Sequence, residues 1–294
     1  MMAGYDEHPL VRDTFVEASQ VLGQDLWALV HEGPAEVLNQ TVNTQPVMLA
    51  ADVAVYRAWR AAGGAEASVM AGHSLGEYAA LVAAGAIAFS DALPLVRFRA
   101  QAMQDAVPQG VGAMAAIMGL DEQGVMAACT EAAQTQSVEA VNFNAPGQVV
   151  IAGHKEAVER AIVAARARGA KRGVLLPVSA PFHSKLLQPA AEKLAAYLAN
   201  VTVRVANIPV VHNVDVVRAA TPEAIRAALA RQAASPVRWV ETIQSFVDSG
   251  VTHILECGPG AVLTGLARRI TTSVEVLPLN DADAIAAAIA ATAP

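Results

Sequence analysis

Apolar positions along the chain predict helices first and then an alternation of strands and helices. The first 66 residues favour helices, at 13–22, at 35–39, and in a long apolar helix from an N-cap at Thr44 to about residue 62. A short apolar strand at 68–71 follows, and residues 72–76 lead from it into a helix at 77–84. Ser90 is expected to cap the next helix, at 91–106. This order predicts an α/β protein.

The middle of the chain has the order β-α-β-β-α-β, which is that of a ferredoxin-like unit. Its strands are predicted at 112–118, 138–143, 148–152 and 172–178, and its helices at 121–133 and 155–168. The alternation then resumes, with helices at 184–199, 222–233, 240–249, 261–270 and 284–294 and strands at 209–213, 252–256 and 274–279. We therefore expect a discontinuous large subdomain, 1–107 and 179–294, around a ferredoxin-like insert at 108–178.

Composition narrows the function. Hydrophobic residues make up 54% and charged residues 16% of the chain, which excludes disorder. The longest apolar run, 79–89, falls well short of the roughly 18–20 residues that span a bilayer, and the N-terminus does not resemble a signal peptide. A net charge of −7 without a basic run argues against nucleic acid. The two cysteines, Cys129 and Cys257, form no CxxC pattern, which indicates a reduced cytosol and no cysteine zinc site.

The strongest chemical signal is Gly72-His-Ser-Leu-Gly76, a GxSxG motif between a predicted strand and a predicted helix. In that context the serine occupies a sharp turn, so that Ser74 projects a nucleophilic hydroxyl at a helix N-terminus. Backbone N–H groups there can stabilise an oxyanion. The alternative is an ordinary strand-to-helix turn whose serine is only an N-cap.

Two further residues could serve that serine. His183 lies in a loop between a predicted strand and a predicted helix, where α/β proteins place catalytic groups. Arg99 falls within the apolar stripe of the helix at 91–106, and a buried guanidinium requires a partner. That partner is either an internal carboxylate or the carboxylate of a substrate, which a guanidinium binds in a bidentate manner.

Motifs over nearly the whole chain resemble those of malonyl-CoA:acyl carrier protein transacylases, which load malonyl groups in bacterial fatty acid synthesis. They are Thr44-Gln-Pro46, Ala71-Gly-His-Ser-Leu-Gly-Glu77, Arg99, Gly112-Ala-Met-Ala-Ala116, Val141-Asn-Phe-Asn-Ala-Pro-Gly-Gln148, Phe182-His183, Asn213-Val-Asp215 and Glu256-Cys-Gly-Pro-Gly260. The resemblance implies an α/β-hydrolase-like large subdomain and a ping-pong acyltransferase. It also implies that the substrates of this enzyme are malonyl-CoA and acyl carrier protein, and that no metal or redox cofactor takes part.

The resemblance also implies roles for individual residues. Ser74 is the nucleophile and His183 its base, Arg99 binds the malonyl carboxylate, and Met103 lines the acyl pocket. The backbone carbonyl of Gln232 orients the histidine in place of a third acid, and the Leu75 N–H donates to the oxyanion. We expect a cytoplasmic monomer that binds neither membranes nor nucleic acid.

The chain departs from the family pattern at its start. The family opens with a strand and a GQGSQ-like turn, whereas this sequence begins at Met1-Met-Ala3. We therefore expect an open slot beside the strand that precedes Ser74, near the helix from Thr44. We also expect a low rate, since a second oxyanion donor is lost, and a tendency to aggregate. The alternatives are an α/β-hydrolase-type esterase or thioesterase and a catalytically impaired carrier-binding protein.

Overall fold

A computed structural model describes residues 1–178 and 180–293. Its helices and strands alternate after an N-terminal helical region, as the sequence predicts. The helices are α1 (Pro9–Leu22), α2 (Leu26–Glu32), α3 (Ala35–Leu38), α4 (Thr41–Ala61), α5 (Gly76–Ala83), α6 (Phe89–Asp105), α7 (Glu122–Ala133), α8 (Lys155–Ala167), α9 (Gln188–Leu198), α10 (Pro222–Gln232), α11 (Trp239–Asp248), α12 (Val262–Ile270) and α13 (Ala282–Ala291). The strands are β1 (Met70–Ala71), β2 (Gly112–Met118), β3 (Val138–Ala145), β4 (Gln148–His154), β5 (Arg172–Leu175), β6 (Val210–Val211), β7 (His253–Cys257) and β8 (Glu275–Leu279).

An antiparallel sheet in the order β3-β4-β2-β5 forms the small subdomain. With α7 and α8 it has the ferredoxin-like order that the sequence predicts. Apolar side chains such as Ile117, Val125 and Val158 form its own core with those helices. The predicted boundaries at 107/108 and 178/179 stay predictions, and Ser179 lies outside the described residues.

Main-chain hydrogen bonds join the small subdomain to the large one. The Val237 N–H donates to the Val141 carbonyl at 2.8 Å, and the Phe143 N–H donates to the Val237 carbonyl at 3.0 Å. A side-chain bond reinforces them, since His73 Nε2 lies 2.8 Å from Asn144 Oδ1. The contact between His73 and Asn144 therefore connects the small subdomain to the residue next to Ser74.

The large subdomain packs its helices around two parallel strand pairs, β1 with β6 and β7 with β8. Helix α4 is at its centre, with Val47, Leu49 and Val55 fully buried. An apolar surface on most sides of a helix is what such a central position requires. In the described part of the chain, no helix is both long and apolar enough to cross a membrane.

A cavity of about 440 Å³ lies between β1 and β7. Residues of both strands line it, together with Asp52, Tyr56 and Trp59 of α4. Within the described residues, β1 pairs only with β6 and β7 only with β8. The open slot that we expect beside the strand before Ser74 is therefore confirmed. Burial in it raises the pKa of the Asp52 carboxyl well above its usual value, and the nearby Glu256 carboxylate adds to this effect.

Helices α1 and α9 begin at Pro9 and Gln188 rather than at 13 and 184, and both predicted helix N-caps, Thr44 and Ser90, are wrong. Helix α4 begins at Thr41 rather than after Thr44, because the Thr44 hydroxyl donates back to the carbonyls of Leu38 and Gln40 instead of capping. Helix α6 begins at Phe89 with extended Ala88 as its N-cap, so Ser90 lies inside the first turn. Helix α2 was not predicted, although Asp25 caps it through a hydrogen bond from the Ala28 N–H.

Helix α7 offers a test of capping in the small subdomain. The Asp121 carboxylate accepts the Gly124 N–H at 2.7 Å, so Asp121→Ala should lower the free energy of unfolding by about 1 kcal/mol. Gln123→Ala is the matched control, because this exposed residue is in the same helix and caps nothing. Guanidinium unfolding followed by circular dichroism measures both changes, and equal effects of the two substitutions would contradict the cap.

Candidate active site

The turn before α5 holds Ser74 in a left-handed conformation, with φ at 53°. A side chain at Gly72 could not fit, since its Cβ would lie 1.9 Å from the Gly76 carbonyl carbon. Asn213, in the turn that follows β6, holds the Ser74 turn in place. Its Oδ1 accepts the Ser74 N–H at 2.7 Å, and its Nδ2 donates to the Gly72 carbonyl at 2.8 Å. The strained turn thus presents the Ser74 hydroxyl at the start of a helix.

His183 meets that hydroxyl from the loop after the small subdomain. Its Nε2 lies 2.7 Å from Ser74 Oγ, and its Nδ1 lies 2.9 Å from the Gln232 backbone carbonyl. Because a carbonyl only accepts, we assign the proton to Nδ1, which leaves Nε2 free to accept the serine proton. Burial and then the charge of Arg99 together lower the pKa of His183 to about 3. The imidazole is therefore neutral at physiological pH, as a general base must be.

Arg99 is 1% exposed, yet it has no carboxylate within ion-pair distance among the described residues. Its Nη1 donates to Gln45 Oε1 at 2.7 Å, and its Nη2 donates to Gln232 Oε1 at 2.9 Å and to Ser74 Oγ at 3.0 Å. The guanidinium also lies 5.3 Å from the centre of the Tyr78 ring. An internal salt bridge, one of the two alternatives that the sequence left open, is thus not what the structure contains.

A second buried charged residue, Glu77, lies one helical turn after Ser74 in α5. The Glu77 side chain is fully buried, and its Oε1 lies 2.7 Å from His212 Nδ1. Its Oε2 accepts the Asn213 N–H and Gln232 Nε2, both at 2.9 Å. Glu77 therefore binds the two residues that hold Ser74, Arg99 and His183 in place.

Leu75 and Met103 complete the predicted set. Within the described chain, the Leu75 N–H has no hydrogen-bond acceptor and stands next to Ser74 at the start of α5. A free N–H at that point suits an oxyanion. Met103 is buried on α6, four residues after Arg99 and so on the same face of the helix.

Comparisons with known proteins agree with this site. A family model described as the acyl transferase domain matches residues 2–290. The chain belongs to the acyl transferase domain family. A relative from Escherichia coli named malonyl CoA-acyl carrier protein transacylase is 55% identical over 96% of this chain and 91% of its own length. One of the same name from Bacillus subtilis is 41% identical over 97% of this chain and 90% of its own length.

Solved structures of acyl transferases show the same fold. An acyl-carrier-protein S-malonyltransferase from Burkholderia pseudomallei has a TM-score of 0.97 and 58% identity, covering 98% of this chain and 94% of its own. A malonyl-transacylase solved in complex with a type II polyketide synthase acyl-carrier protein has a TM-score of 0.98 and 52% identity, covering 99% of this chain and 95% of its own. The α/β fold and the family resemblance are thereby confirmed.

The structure brings Ser74, His183, Arg99 and Gln232 into one contact network, although they are far apart in the sequence. The sequence did not predict three other members of this network, Gln45, Glu77 and Asn213. It also did not predict the contacts of the Gln232 side chain. Each of the three lies inside a motif quoted for the resemblance. An amide or carboxylate in an otherwise apolar helix, as with Gln45 in α4, is the signal that could have identified it.

The two glycines of the elbow should respond very differently to the same substitution. Gly72→Ala places its Cβ against backbone and should cost about 3 kcal/mol of stability and abolish labelling of Ser74 by a fluorophosphonate probe. Gly76→Ala meets no atom within 4 Å and should fold and react like the parent. Unfolding curves and probe labelling measure both, and equal tolerance at the two positions would contradict the elbow geometry.

The low pKa of His183 predicts an unusual pH profile. Protonation of Nε2 removes the base, so the labelling rate of Ser74 should show no inflection near the ordinary histidine value of about 6.5. At every pH at which the protein is folded, the labelling rate should stay constant until the pH approaches about 3 and should decline only there. Circular dichroism at each pH is the control for unfolding, and an acid limb near 6.5 would show an ordinary, solvated histidine.

Proposed function

We propose that this chain transfers a malonyl group from coenzyme A to the phosphopantetheine thiol of acyl carrier protein. The observation that carries the proposal is a buried guanidinium that has no carboxylate partner among residues 1–178 and 180–293. It lies 3.0 Å from a serine hydroxyl that is itself 2.7 Å from a neutral imidazole. A serine and a base alone serve many acyl transfers, whereas the adjacent unpaired cation selects acyl groups that end in a carboxylate. The names of the similar proteins support the same substrates.

In the first half-reaction Ser74 Oγ attacks the thioester carbonyl, and its proton passes to His183 Nε2. The Gln232 carbonyl holds the imidazolium in orientation through Nδ1–H, in the position that a carboxylate occupies in a Ser-His-Asp triad. The Leu75 N–H donates to the oxyanion. When the tetrahedral intermediate collapses, the carbon–sulfur bond breaks, and the coenzyme A thiolate takes the proton from His183.

In the second half-reaction the carrier thiol is the nucleophile. His183 takes its proton, the sulfur attacks the malonyl-serine ester, and the serine oxygen leaves with the proton returned from His183. Arg99 binds the malonyl carboxylate through both halves, so that the acyl group keeps its position while the two thiols exchange. These steps use only side-chain and backbone groups, and we expect neither a metal nor a redox cofactor to take part.

The setting that we propose is the cytoplasm, where coenzyme A thioesters and a phosphopantetheine thiol coexist. The free cysteines Cys129 and Cys257 are compatible with a reducing compartment. Burial raises the pKa of each thiol to about 12, which keeps both unreactive. We expect the enzyme to act as a monomer, and we expect no contact with nucleic acid or membranes.

The direct test is to incubate the protein with malonyl-CoA and to measure its intact mass. The expected result is a gain of one malonyl group, located on Ser74 by peptide mapping and removed when carrier protein is added. Ser74→Ala is the control and should gain nothing. Absence of the adduct in the parent protein, with its fold verified, would contradict the proposed function.

Arg99→Ala separates the substrate clamp from the general machinery. The variant should lose about 30- to 1000-fold in kcat/KM with malonyl-CoA, because a charge-assisted bidentate pair is removed, and far less with acetyl-CoA. Arg97→Ala is the matched control, since this residue lies on the same helix and donates to Leu22 and Gln24 outside the site. Equal losses with both thioesters would mean that Arg99 is only structural.

A further inference from the structure

Glu77 touches none of the atoms that react, yet it is the only carboxylate in the described residues that binds the residues around Ser74. It is fully buried, and three donors surround it, from His212, Asn213 and Gln232. A buried carboxylate is costly unless such donors satisfy it. A purely apolar residue would pack at this position at lower cost, so the charge calls for an explanation.

The Gln232 side chain links this carboxylate to Arg99. Its Nε2 donates to Glu77 Oε2 and, at 2.8 Å, to the Ser74 carbonyl, while its Oε1 accepts from Arg99 Nη2. A carboxylate can only accept, so the amide must turn its NH₂ toward Glu77. The amide oxygen then has to face the guanidinium. A flipped amide would instead aim two N–H groups at the cation.

The carboxylate also acts on Arg99 through its charge. Burial lowers the pKa of the guanidinium, and the nearby Tyr78 side chain and then the Glu77 carboxylate oppose that shift. Because an amide stands between the two groups, Glu77 compensates the cation without forming an ion pair with it. The guanidinium therefore keeps its capacity to bind a carboxylate from outside.

We propose that Glu77 is a positioning residue that, through the Gln232 amide, aims Arg99 at the acyl group and so sets the preference for acyl groups that carry a free carboxylate. The proposal rests on the proposed malonyl transfer. His212 Nδ1 and the Asn213 N–H hold the Glu77 carboxylate in place, on the side of the Gln232 amide away from Arg99. Its influence should appear in substrate choice more than in the chemistry at Ser74.

The test is Glu77→Gln, which keeps the shape and removes the charge that orients the amide. Acylation rates of Ser74 are measured by quenched-flow mass spectrometry with malonyl-CoA and with acetyl-CoA. The ratio of the two kcat/KM values should fall about 10- to 100-fold, chiefly through a higher KM for malonyl-CoA. The acetyl reaction should change little, which a general loss of structure would not produce.

Glu256→Gln is the matched control. That carboxylate also accepts two main-chain N–H groups, from Leu263 and Thr264, but outside this network. It should lower the melting temperature and leave the malonyl-to-acetyl ratio unchanged. In an Arg99→Ala background, Glu77→Gln should have no further effect on the ratio, because the group that it aims is gone.

The outcomes separate the two proposals. A parent protein without any malonyl preference would overturn the proposed function. A parent preference that Glu77→Gln retains, or a variant that loses both substrates equally, would overturn the role of Glu77 alone. Should Glu77→Gln not fold, Gln232→Ala removes the link while keeping the carboxylate and its other two donors. The ratio should then fall in the same way, and an unchanged ratio would overturn the proposal.

Discussion

The buried Arg99 guanidinium, which contacts no carboxylate of the residues that the structure describes, is the constraint on which the rest of the site depends. Such a group is tolerated only where polar atoms replace its water, and here two amide oxygens, the Ser74 hydroxyl and the face of Tyr78 do so. These partners are neutral, so they stabilise the cation and leave it able to bind an anion. Helices α4, α5, α6 and α10 must therefore meet at Arg99, because each supplies the guanidinium or one of its partners.

Among the described residues, four that are not glycine have positive φ, and two of these four are the residues that exchange a proton. Ser74 and His183 both have positive φ, at 53° and 65°, a state that costs of order 1–3 kcal/mol for a residue other than glycine. The Ser74 N–H donates to Asn213 Oδ1 and His183 Nδ1 donates to the Gln232 carbonyl, and these hydrogen bonds hold the two conformations. These contacts offset the strain and hold Oγ and Nε2 2.7 Å apart before any substrate arrives.

The sequence predicted the features that depend on residues close together in the chain. The GxSxG turn, the ferredoxin-like order and the burial of Arg99 all follow from spacing within one or two elements. The amide partners of Arg99 do not, because Gln45 and Gln232 are 54 and 133 residues away from it and nothing in their own helices marks them as its neighbours. The start of α4 was wrong for a related reason, since the Thr44 hydroxyl bonds to carbonyls that only the fold of the preceding turn supplies.

The order of these residues along the chain has a consequence for synthesis. Ser74 leaves the ribosome first, but the groups that activate it come 109 and 158 residues later, in His183 and in the helix that ends at Gln232. At about 5–20 residues per second, Ser74 waits about 5 to 22 seconds for His183 to be synthesised and about 8 to 32 seconds for Gln232, and until then it is an ordinary hydroxyl. The small subdomain between them is built from contacts close in sequence and can form during that delay. A chain that ends before His183 and Gln232 therefore lacks the groups that activate Ser74, and we expect reactivity with coenzyme A thioesters to arise only once α10 has packed against α5 and α6.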